Sequence, residues 1–174
     1  WVGELAANGV VSPLDLGSVA SDLFDVGVTA FSYGGEVYGF PYATEAIAMF
    51  YNADLVDSVP ATWEEAKAAC DAAGTELCVG APGGGGGGDA YHMHPFVASS
   101  GGYVFATDGG FDASDVGLDN AGAIASAEYL DGLVKNGTVA STDYGASMTA
   151  FQEGRSLFWM TGPWARGDAS AVNY

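Results

Sequence analysis

The sequence predicts an α/β fold, because short apolar runs typical of buried strands alternate along the chain with segments of helical periodicity. Residues 47–51 and 156–161 are continuous apolar runs of strand length, which indicates strands covered on both faces. Residues 120–136 form the clearest helical pattern, whose apolar stripe consists of Ala123, Ala127, Leu130, Leu133 and Val134. We therefore expect a sheet packed against helices.

The beginning of the chain predicts short elements. Residues 1–16 are typical of a helix end followed by a turn, and residues 21–30 have the pattern of a short helix. Residues 33–36 read Tyr-Gly-Gly-Glu, which predicts a hairpin turn. We expect residues 37–42 to form an extended strand whose ladder is interrupted at Pro41, since proline lacks a backbone N–H.

The later helices have recognisable boundaries. Thr62 and Glu65 have the spacing of a capping box, so a helix is expected to begin after Thr62 and to end at Gly74. The remaining segments continue the alternation: a strand at residues 77–79, helices at residues 89–100 and 144–153, and a loop or helix from residue 162.

The charge balance excludes two classes of partner. Only 4 Lys and Arg side chains oppose 22 carboxylates, and the net charge is −18. Nucleic acids and anionic lipids are bound mainly through Lys and Arg, so neither is expected as a partner. No apolar run approaches the roughly 18 residues of a membrane span, and no signal peptide is visible. Since the chain opens on Trp1 inside a helix-like segment, we expect a fragment of a longer chain or a trimmed mature protein.

Three segments suggest ligand chemistry only weakly. The six glycines of residues 83–88 lack the Lys of a phosphate loop and are followed by Asp89, so a surface loop or a linker is the favoured interpretation. His92 and His94 are two residues apart, and such positions do not share a helix face, which disfavours a metal site. The acidic residues 108–115 lack the closing Glu of a calcium loop.

Cysteine and carboxylate chemistry each leave alternatives open. Cys70 and Cys78 are too few for a zinc site, and they are either a disulfide or two buried thiols. No nucleophile elbow and no Cys–His arrangement indicates acyl transfer. Glu45 and Asp89 could serve as the carboxylate pair of a glycoside-acting enzyme, which is the alternative to a binding protein.

An ordered series of segments resembles the maltose-type extracellular solute-binding proteins of ABC sugar importers. The matching segments cover nearly the whole chain and are, in order, residues 37–46 (VYGFPYATEA), 51–55 (YNADL), 60–65 (PATWEE), 89–95 (DAYHMHP), 101–105 (GGYVF), 115–123 (DVGLDNAGA), 151–154 (FQEG) and 162–165 (GPWA). The resemblance implies a type II periplasmic-binding-protein-like lobe, incomplete at both ends. Residues 1–43 would end the first-lobe segment, and residues 44–174 would form most of the second lobe.

The resemblance also implies a ligand and four contacts. The ligand would be an oligosaccharide of the maltose or maltodextrin type, bound without catalysis, metal or cofactor. Tyr91 and Trp164 would stack on the apolar faces of sugar rings, while Glu45 and Asp89 would accept hydrogen bonds from hydroxyl groups. An inactive folded fragment is the further alternative.

Two positions depart from the family pattern. His92 lies where relatives often have another aromatic side chain, and Arg166 replaces an aromatic one; both are expected to contact the sugar. By resemblance, the protein would be a monomer that closes by a hinge and delivers sugar to the permease subunits of an ABC transporter. It would be extracellular or periplasmic, with lipid anchoring through a segment that precedes Trp1.

Overall fold

The computed structural model describes residues 1–83, 89–106 and 112–174. It divides the chain into two units, Trp1–Glu45 and Ala46–Tyr174. The assignment of residues 1–43 and 44–174 to two lobes of a larger protein remains a prediction. Most of the predicted glycine loop and the first part of the acidic segment at residues 108–115 lie outside the described residues.

The first unit contains short elements joined by turns. Its helices are α1 (Val2–Ala7) and α2 (Asp25–Ala30), and its two strands are β1 (Ser32–Tyr33) and β2 (Glu36–Val37). The predicted hairpin turn is confirmed, since Tyr33 pairs with Glu36 across two residues. Those two residues, Gly34 and Gly35, have φ values of 60° and 87°, which suit a tight hairpin turn that most side chains would strain.

Two predictions for the first unit were too long. Residues 21–30 do not form one helix, because a 3-10 helix (Gly17–Asp22) ends before α2 begins. The predicted strand over residues 37–42 is wrong beyond Val37. Pro41 cannot donate a ladder hydrogen bond, and it packs instead against the backbone of Gly27, where an added Cβ would lie 3.1 Å from the Pro41 Cβ.

The second unit is built on a four-stranded mixed sheet. Its strands are β3 (Ala48–Tyr51), β4 (Leu77–Pro82), β5 (Val139–Thr142) and β6 (Ser156–Thr161), in the spatial order β3-β6-β4-β5. The pairs β6–β4 and β4–β5 are parallel, whereas β3 runs antiparallel to β6. The predicted α/β class is confirmed. Because three neighbouring strands are parallel, their carboxyl ends share one edge of the sheet.

Helices cover both faces of this sheet. They are α3 (Trp63–Ala73), α4 (Ala90–Ser99), α5 (Ala121–Lys135), α6 (Tyr144–Gln152) and α7 (Arg166–Ala169). Every residue of β6 is buried, as predicted, and its side chains divide between two clusters. Phe158 and Met160 pack with Cys70 and Phe96 from α3 and α4, whereas Trp159 packs with Phe151 of α6. Alternate side chains of β6 therefore contribute to two separate packing layers.

The capping box at the start of α3 is confirmed. The Thr62 hydroxyl accepts a hydrogen bond from the backbone N–H of Glu65 at 3.1 Å. The Glu65 carboxylate reaches back to the N–H of Ala61, rather than to that of Thr62, at 2.7 Å. The helix ends at Gly74, as predicted. Replacement of such a cap by alanine costs about 1 kcal/mol, so this local sequence signal stabilises the first turn of α3.

The prediction that residues 47–51 are covered on both faces is wrong. The strand β3 lies at the edge of the sheet, and Ala48 and Met49 are exposed. An apolar run of this length is expected both for central strands and for edge strands, because it reports side-chain character and not the number of neighbouring strands.

The predicted apolar stripe of α5 is only partly correct. Ala123 and Leu133 are buried, but Ala127 and Val134 are exposed. The missing member is Ser126, whose hydroxyl is buried and donates to the carbonyl oxygen of Phe96 at 2.5 Å. A serine on the packed face was not expected from apolar periodicity, because its burial depends on an acceptor in another helix.

Cys70 and Cys78 are joined by a disulfide that links α3 to β4, with a Cα–Cα distance of 5.2 Å. Both residues are buried in the layer that also contains Phe96 and Phe158. The bridge therefore fixes α3 against the amino-terminal half of β4.

Candidate functional site

The carboxyl edge of the sheet gathers aromatic side chains from three separate parts of the chain. Tyr91 and His92 lie in the first turn of α4, after β4. Tyr144 begins α6, directly after β5 and Asp143, and Trp164 follows the end of β6 in a 3-10 turn. Because these strands are parallel and adjacent, residues distant in sequence meet at one place, which we call the aromatic site. It comprises Asp89, Tyr91, His92, Tyr144 and Trp164.

The rings of the aromatic site contact one another. The ring centroid of Trp164 lies 5.9 Å from that of Tyr91 and 5.8 Å from that of His92. His92 is also 6.0 Å from Tyr144, whose ring approaches the buried Trp159 at 5.6 Å. These distances lie in the range of favourable aromatic pairs, so the cluster is anchored to the core through Tyr144.

Two of these rings remain open to solvent in spite of their contacts. Tyr91 is 57% exposed and Trp164 is 41% exposed, whereas His92 is only 7% exposed. Two large aromatic side chains in contact on a surface form an apolar patch, which is typical of a binding site. The buried imidazole lies beneath them and contacts both.

Gly162 allows the ring of Trp164 to fold back over the backbone. A Cβ atom added at Gly162 would lie 2.0 Å from the six-membered ring of the indole, well inside van der Waals contact. The backbone φ of Gly162 is −110°, which any residue can adopt. The requirement for glycine at this position is therefore the close approach of the indole and not the backbone conformation.

Asp89 holds both the helix α4 and the His92 ring. One carboxylate oxygen accepts from the backbone N–H of His92 at 3.1 Å, which caps α4. The other lies 2.7 Å from His92 Nδ1. Burial raises the pKa of Asp89, but the hydrogen bonds from the His92 backbone and ring outweigh it, and the pKa lies below its ordinary value. Asp89 is therefore ionised at neutral pH.

Several buried polar atoms near this edge lack a hydrogen-bond partner among the described residues. There are four such atoms in the described residues. Thr142 Oγ1 and Thr161 Oγ1 lie at the carboxyl ends of β5 and β6, and His92 Nε2 lies in the first turn of α4. The fourth, Thr75 Oγ1, precedes β4 and belongs to the opposite edge of the sheet. Buried polar groups are normally paired, so each such atom needs an explanation. Three unpaired atoms at one edge distinguish it from the other edge of the sheet, where only Thr75 has one among the described residues.

Four of the six predicted contact residues belong to the aromatic site. Asp89, Tyr91, His92 and Trp164 meet in the aromatic site. Arg166 is exposed two residues after Trp164, at the start of α7. Glu45 is exposed and is the last residue of the first unit, so the structure of the second unit does not include it. The role of each in binding stays a prediction.

Tyr144 is the member that the sequence did not single out. The signal that could have found it is the order strand, Asp, helix, which occurs both at Asp143-Tyr144 and at Asp89-Ala90-Tyr91. In both places the Asp side chain caps the helix, with Asp143 accepting from the N–H of Ala146 at 2.8 Å. A repeated cap of this kind after neighbouring parallel strands places the adjacent aromatic residues at a common edge.

A metal site and an apolar groove are the other kinds of site to consider in the described residues. Within residues 1–83, 89–106 and 112–174, no three His, Cys, Asp or Glu side chains are grouped closely enough to hold a metal ion. An apolar groove beside β3 is lined by other residues, among them Met49, Val59, Pro60 and Trp63. Its lining is mainly apolar, so it has few partners for a polar ligand.

No helix in the described residues is long and apolar enough to cross a membrane.

Comparison with known proteins identifies relatives along nearly the whole chain. The profile of the bacterial extracellular solute-binding protein family matches residues 1–173. A maltooligosaccharide ABC transporter solute-binding lipoprotein of Streptococcus pneumoniae is 33% identical over 192 aligned residues, which cover 99% of this chain and 43% of the relative. The galactooligosaccharide-binding protein of Bacillus subtilis is 27% identical, covering 94% and 41%.

A third relative, the maltotriose-binding protein of Pyrococcus abyssi, is 26% identical, with 96% of this chain and 36% of the relative covered. The chain thus spans about two fifths of the length of the curated relatives that it matches. On the match to residues 1–173, the chain belongs to the family of bacterial extracellular solute-binding proteins.

Proposed function

We propose that this chain binds a neutral oligosaccharide of the α-gluco type at the aromatic site, without catalysis, for delivery to an ABC importer. The observation that carries the proposal is the contact between Tyr91 and Trp164, two exposed aromatic rings whose centroids are 5.9 Å apart. A sugar ring has an apolar C–H face and a rim of hydroxyl groups. Aromatic rings suit the face, and nearby polar atoms suit the rim.

The charge of the protein supports a neutral ligand. With a net charge of −18, the protein repels anionic solutes over distances comparable with the screening length of about 8 Å in physiological salt. An uncharged oligosaccharide is not repelled. The same charge leaves nucleic acids and anionic lipids outside the proposed partners.

The relatives support the choice of sugar. The names of two relatives given above contain maltooligosaccharide or maltotriose, and the name of the third contains galactooligosaccharide. We therefore propose an α-glucan such as maltotriose as the first ligand, with galacto-oligosaccharides as the competing class. We further propose that the protein's partners are the permease subunits of an ABC transporter. The protein would be an extracellular or periplasmic monomer with a lipid anchor.

The chemistry of Asp89 argues against one form of the alternative, a glycoside-acting enzyme in which Asp89 is the general acid. A general acid in such an enzyme needs a raised pKa, so that it is protonated at the working pH. The pKa of Asp89 is lowered, and both of its oxygens already accept hydrogen bonds from His92. Asp89 is therefore unsuited to the general-acid role, and the parallel assay for reducing ends tests the form of the alternative in which Glu45 is the acid.

The test is titration of the purified chain with maltose, maltotriose, a galactotriose and sucrose, followed by calorimetry or NMR. A parallel assay measures release of reducing ends. We expect saturable binding of maltotriose and no turnover. Release of reducing ends would overturn the non-catalytic proposal, and absence of binding by every sugar, from a chain that is folded by circular dichroism, would favour an inactive folded unit.

A further inference from the structure

His92 occupies an unusual position within the aromatic site. It is 7% exposed, and its ring contacts Tyr91, Tyr144 and Trp164 at centroid distances of 5.8–6.0 Å. Its Nδ1 is engaged with Asp89, but its Nε2 is buried without a hydrogen-bond partner among the described residues. The ring thus carries one satisfied and one unsatisfied nitrogen.

Asp89 determines which of these nitrogens carries the proton. An ionised carboxylate can only accept hydrogen bonds, so the contact of 2.7 Å between Asp89 Oδ2 and His92 Nδ1 requires a proton on Nδ1. In the neutral imidazole, Nε2 then has no proton and is an acceptor. The capping bond from the His92 N–H to the other oxygen of Asp89 keeps the carboxylate in this orientation.

A buried acceptor without a donor is unfavourable, and the surrounding rings limit what can supply one. Three of the side chains around His92 are aromatic, and two of these, the indole of Trp164 and the ring of Tyr91, are exposed. A group that reaches Nε2 must therefore be small, must donate a hydrogen bond and must belong to a molecule whose body is compatible with aromatic walls. A sugar hydroxyl meets all three conditions, and it reaches Nε2 only if the exposed rings of Tyr91 and Trp164 move apart on binding, because the nitrogen is enclosed by the protein.

We infer that His92, held as the Nδ1–H tautomer by Asp89, accepts a hydrogen bond at Nε2 from a hydroxyl of the bound sugar. His92 is then a specificity-determining residue, and Asp89 is the positioning residue that sets its tautomer. The inference rests on the proposed function, since it concerns a contact of the same site. Its consequence is that this subsite selects a free hydroxyl: a sugar in which that hydroxyl is methylated or absent loses the bond and leaves Nε2 buried and unpaired.

The chain offers an internal control for the test. It contains two histidines, His92 and His94, in the same helix α4, and His94 is exposed. In the chain labelled with ¹⁵N-histidine, long-range ¹H–¹⁵N correlation spectra distinguish protonated from unprotonated ring nitrogens. A His94→Gln variant assigns the two rings. We expect His92 to have a protonated Nδ1 and an unprotonated Nε2 before any sugar is added.

Titration with maltotriose then tests the contact itself. We expect the His92 Nε2 signal to shift with the same saturation curve as the binding isotherm, whereas the signals of His94 stay in place. A His92→Phe variant keeps a ring among the aromatic side chains but has no acceptor, and we expect its affinity to fall about 3- to 10-fold, as for loss of one neutral hydrogen bond. The His94→Gln variant should bind as the unmodified chain does.

An Asp89→Ser variant tests the positioning role. Serine retains a helix N-cap but is too short to hold the imidazole, so we expect the His92 proton to redistribute between Nδ1 and Nε2, with a loss of affinity no larger than that of His92→Phe. Recovery of the Nδ1–H tautomer in Asp89→Asn, whose amide oxygen can still accept, would support the same role.

The outcomes separate this inference from the proposed function. Saturable binding of maltotriose or of the galactotriose with an unmoved Nε2 signal, or a free protein with the proton on Nε2, overturns the role of His92 and leaves oligosaccharide binding standing. Absence of binding by every sugar overturns both. A coincident shift and isotherm, together with the tautomer change in Asp89→Ser, supports the inference.

Discussion

The two edges of the sheet in the second unit use their polar groups differently. At the amino edge, polar side chains bond to one another: Arg155 donates to Glu76 and Glu153 at 3.1 and 2.8 Å. The Thr138 hydroxyl donates to Asn136 at 2.6 Å. At the carboxyl edge, the aromatic site has exposed rings, and three polar atoms there lack partners among the described residues.

We interpret the difference as a separation of groups that stabilise the fold from groups that the proposed ligand would contact. The guanidinium of Arg155 has a raised pKa, because the side chains of Glu153 and Glu76 accept hydrogen bonds from it. Ser156 at the start of β6 is likewise paired, since its hydroxyl accepts from the N–H of Gly80 and donates to a carbonyl oxygen. Thr75 is the exception at this edge, with an unpaired hydroxyl. Parallel strands place both kinds of edge in one sheet, and only the carboxyl edge faces connections that carry aromatic residues.

The largest expected effect concerns the disulfide, which stabilises the fold and contributes no residue to the aromatic site. Reduction of the Cys70–Cys78 bridge, which spans 8 residues, should lower the free energy of unfolding by about 2–3 kcal/mol in urea titrations. The affinity for maltotriose, measured well below the unfolding transition, should not change. A Cys70→Ala, Cys78→Ala double variant should be insensitive to reductant. A loss of maltotriose affinity on reduction that equals the loss of stability in free energy would contradict the separation between stabilising groups and binding groups.

The second effect concerns the exposed indole. Trp164→Ala removes a stacking surface that is 41% exposed, so we expect a loss of affinity of about 30-fold, typical of an aromatic residue central to an interface. The unfolding midpoint should change little. Trp1→Ala is the matched control, because Trp1 is fully exposed at 101% and belongs to the other unit. Equal effects of the two substitutions would remove Trp164 from the site.

Local signals in the sequence predicted the boundaries of α3, α4, α5 and α6 well, because each cap involves residues within four positions of one another. Thr62 with Glu65 is the clearest case. The edge position of β3 and the burial of Ser126 were not predicted, since each depends on an element that is distant in the sequence. Tyr91 and Trp164 were identified by family resemblance, and Tyr144 was not, because its contact with His92 arises only when β4 and β5 lie side by side.

The third effect tests how Trp164 is positioned. Gly162→Ala places a Cβ 2.0 Å from the indole, so the ring must move, although the backbone conformation remains allowed for alanine. We expect the affinity to fall about 5- to 10-fold, less than in Trp164→Ala, with a changed indole fluorescence. Gly167→Ala is the matched control, because an added Cβ there meets no atom within 4 Å. A fall of equal size in Gly167→Ala would show that the effect is not steric.

The smallest effect is on acid stability. Because the pKa of Asp89 is lowered in the folded protein, its ionised form stabilises the fold above its ordinary pKa of 3.8, and this contribution is lost as the pH falls through the lowered value. An Asp89→Asn variant should therefore lose less stability than the unmodified chain as the pH falls from about 5 to about 2, a range chosen around the reference carboxyl pKa. Urea titrations at fixed salt measure the difference. Parallel curves for the two proteins would contradict the folded-state role of this carboxylate.

The most direct test of the aromatic site follows the four tryptophan indole N–H signals during titration with maltotriose. A Trp164→Phe variant assigns one signal, and Trp63, beside the apolar groove, is the internal reference. We predict that the Trp164 signal shifts to saturation and that the Trp63 signal does not move. A saturating shift of Trp63 with an unmoved Trp164 would place the sugar away from the carboxyl edge and contradict the proposed site.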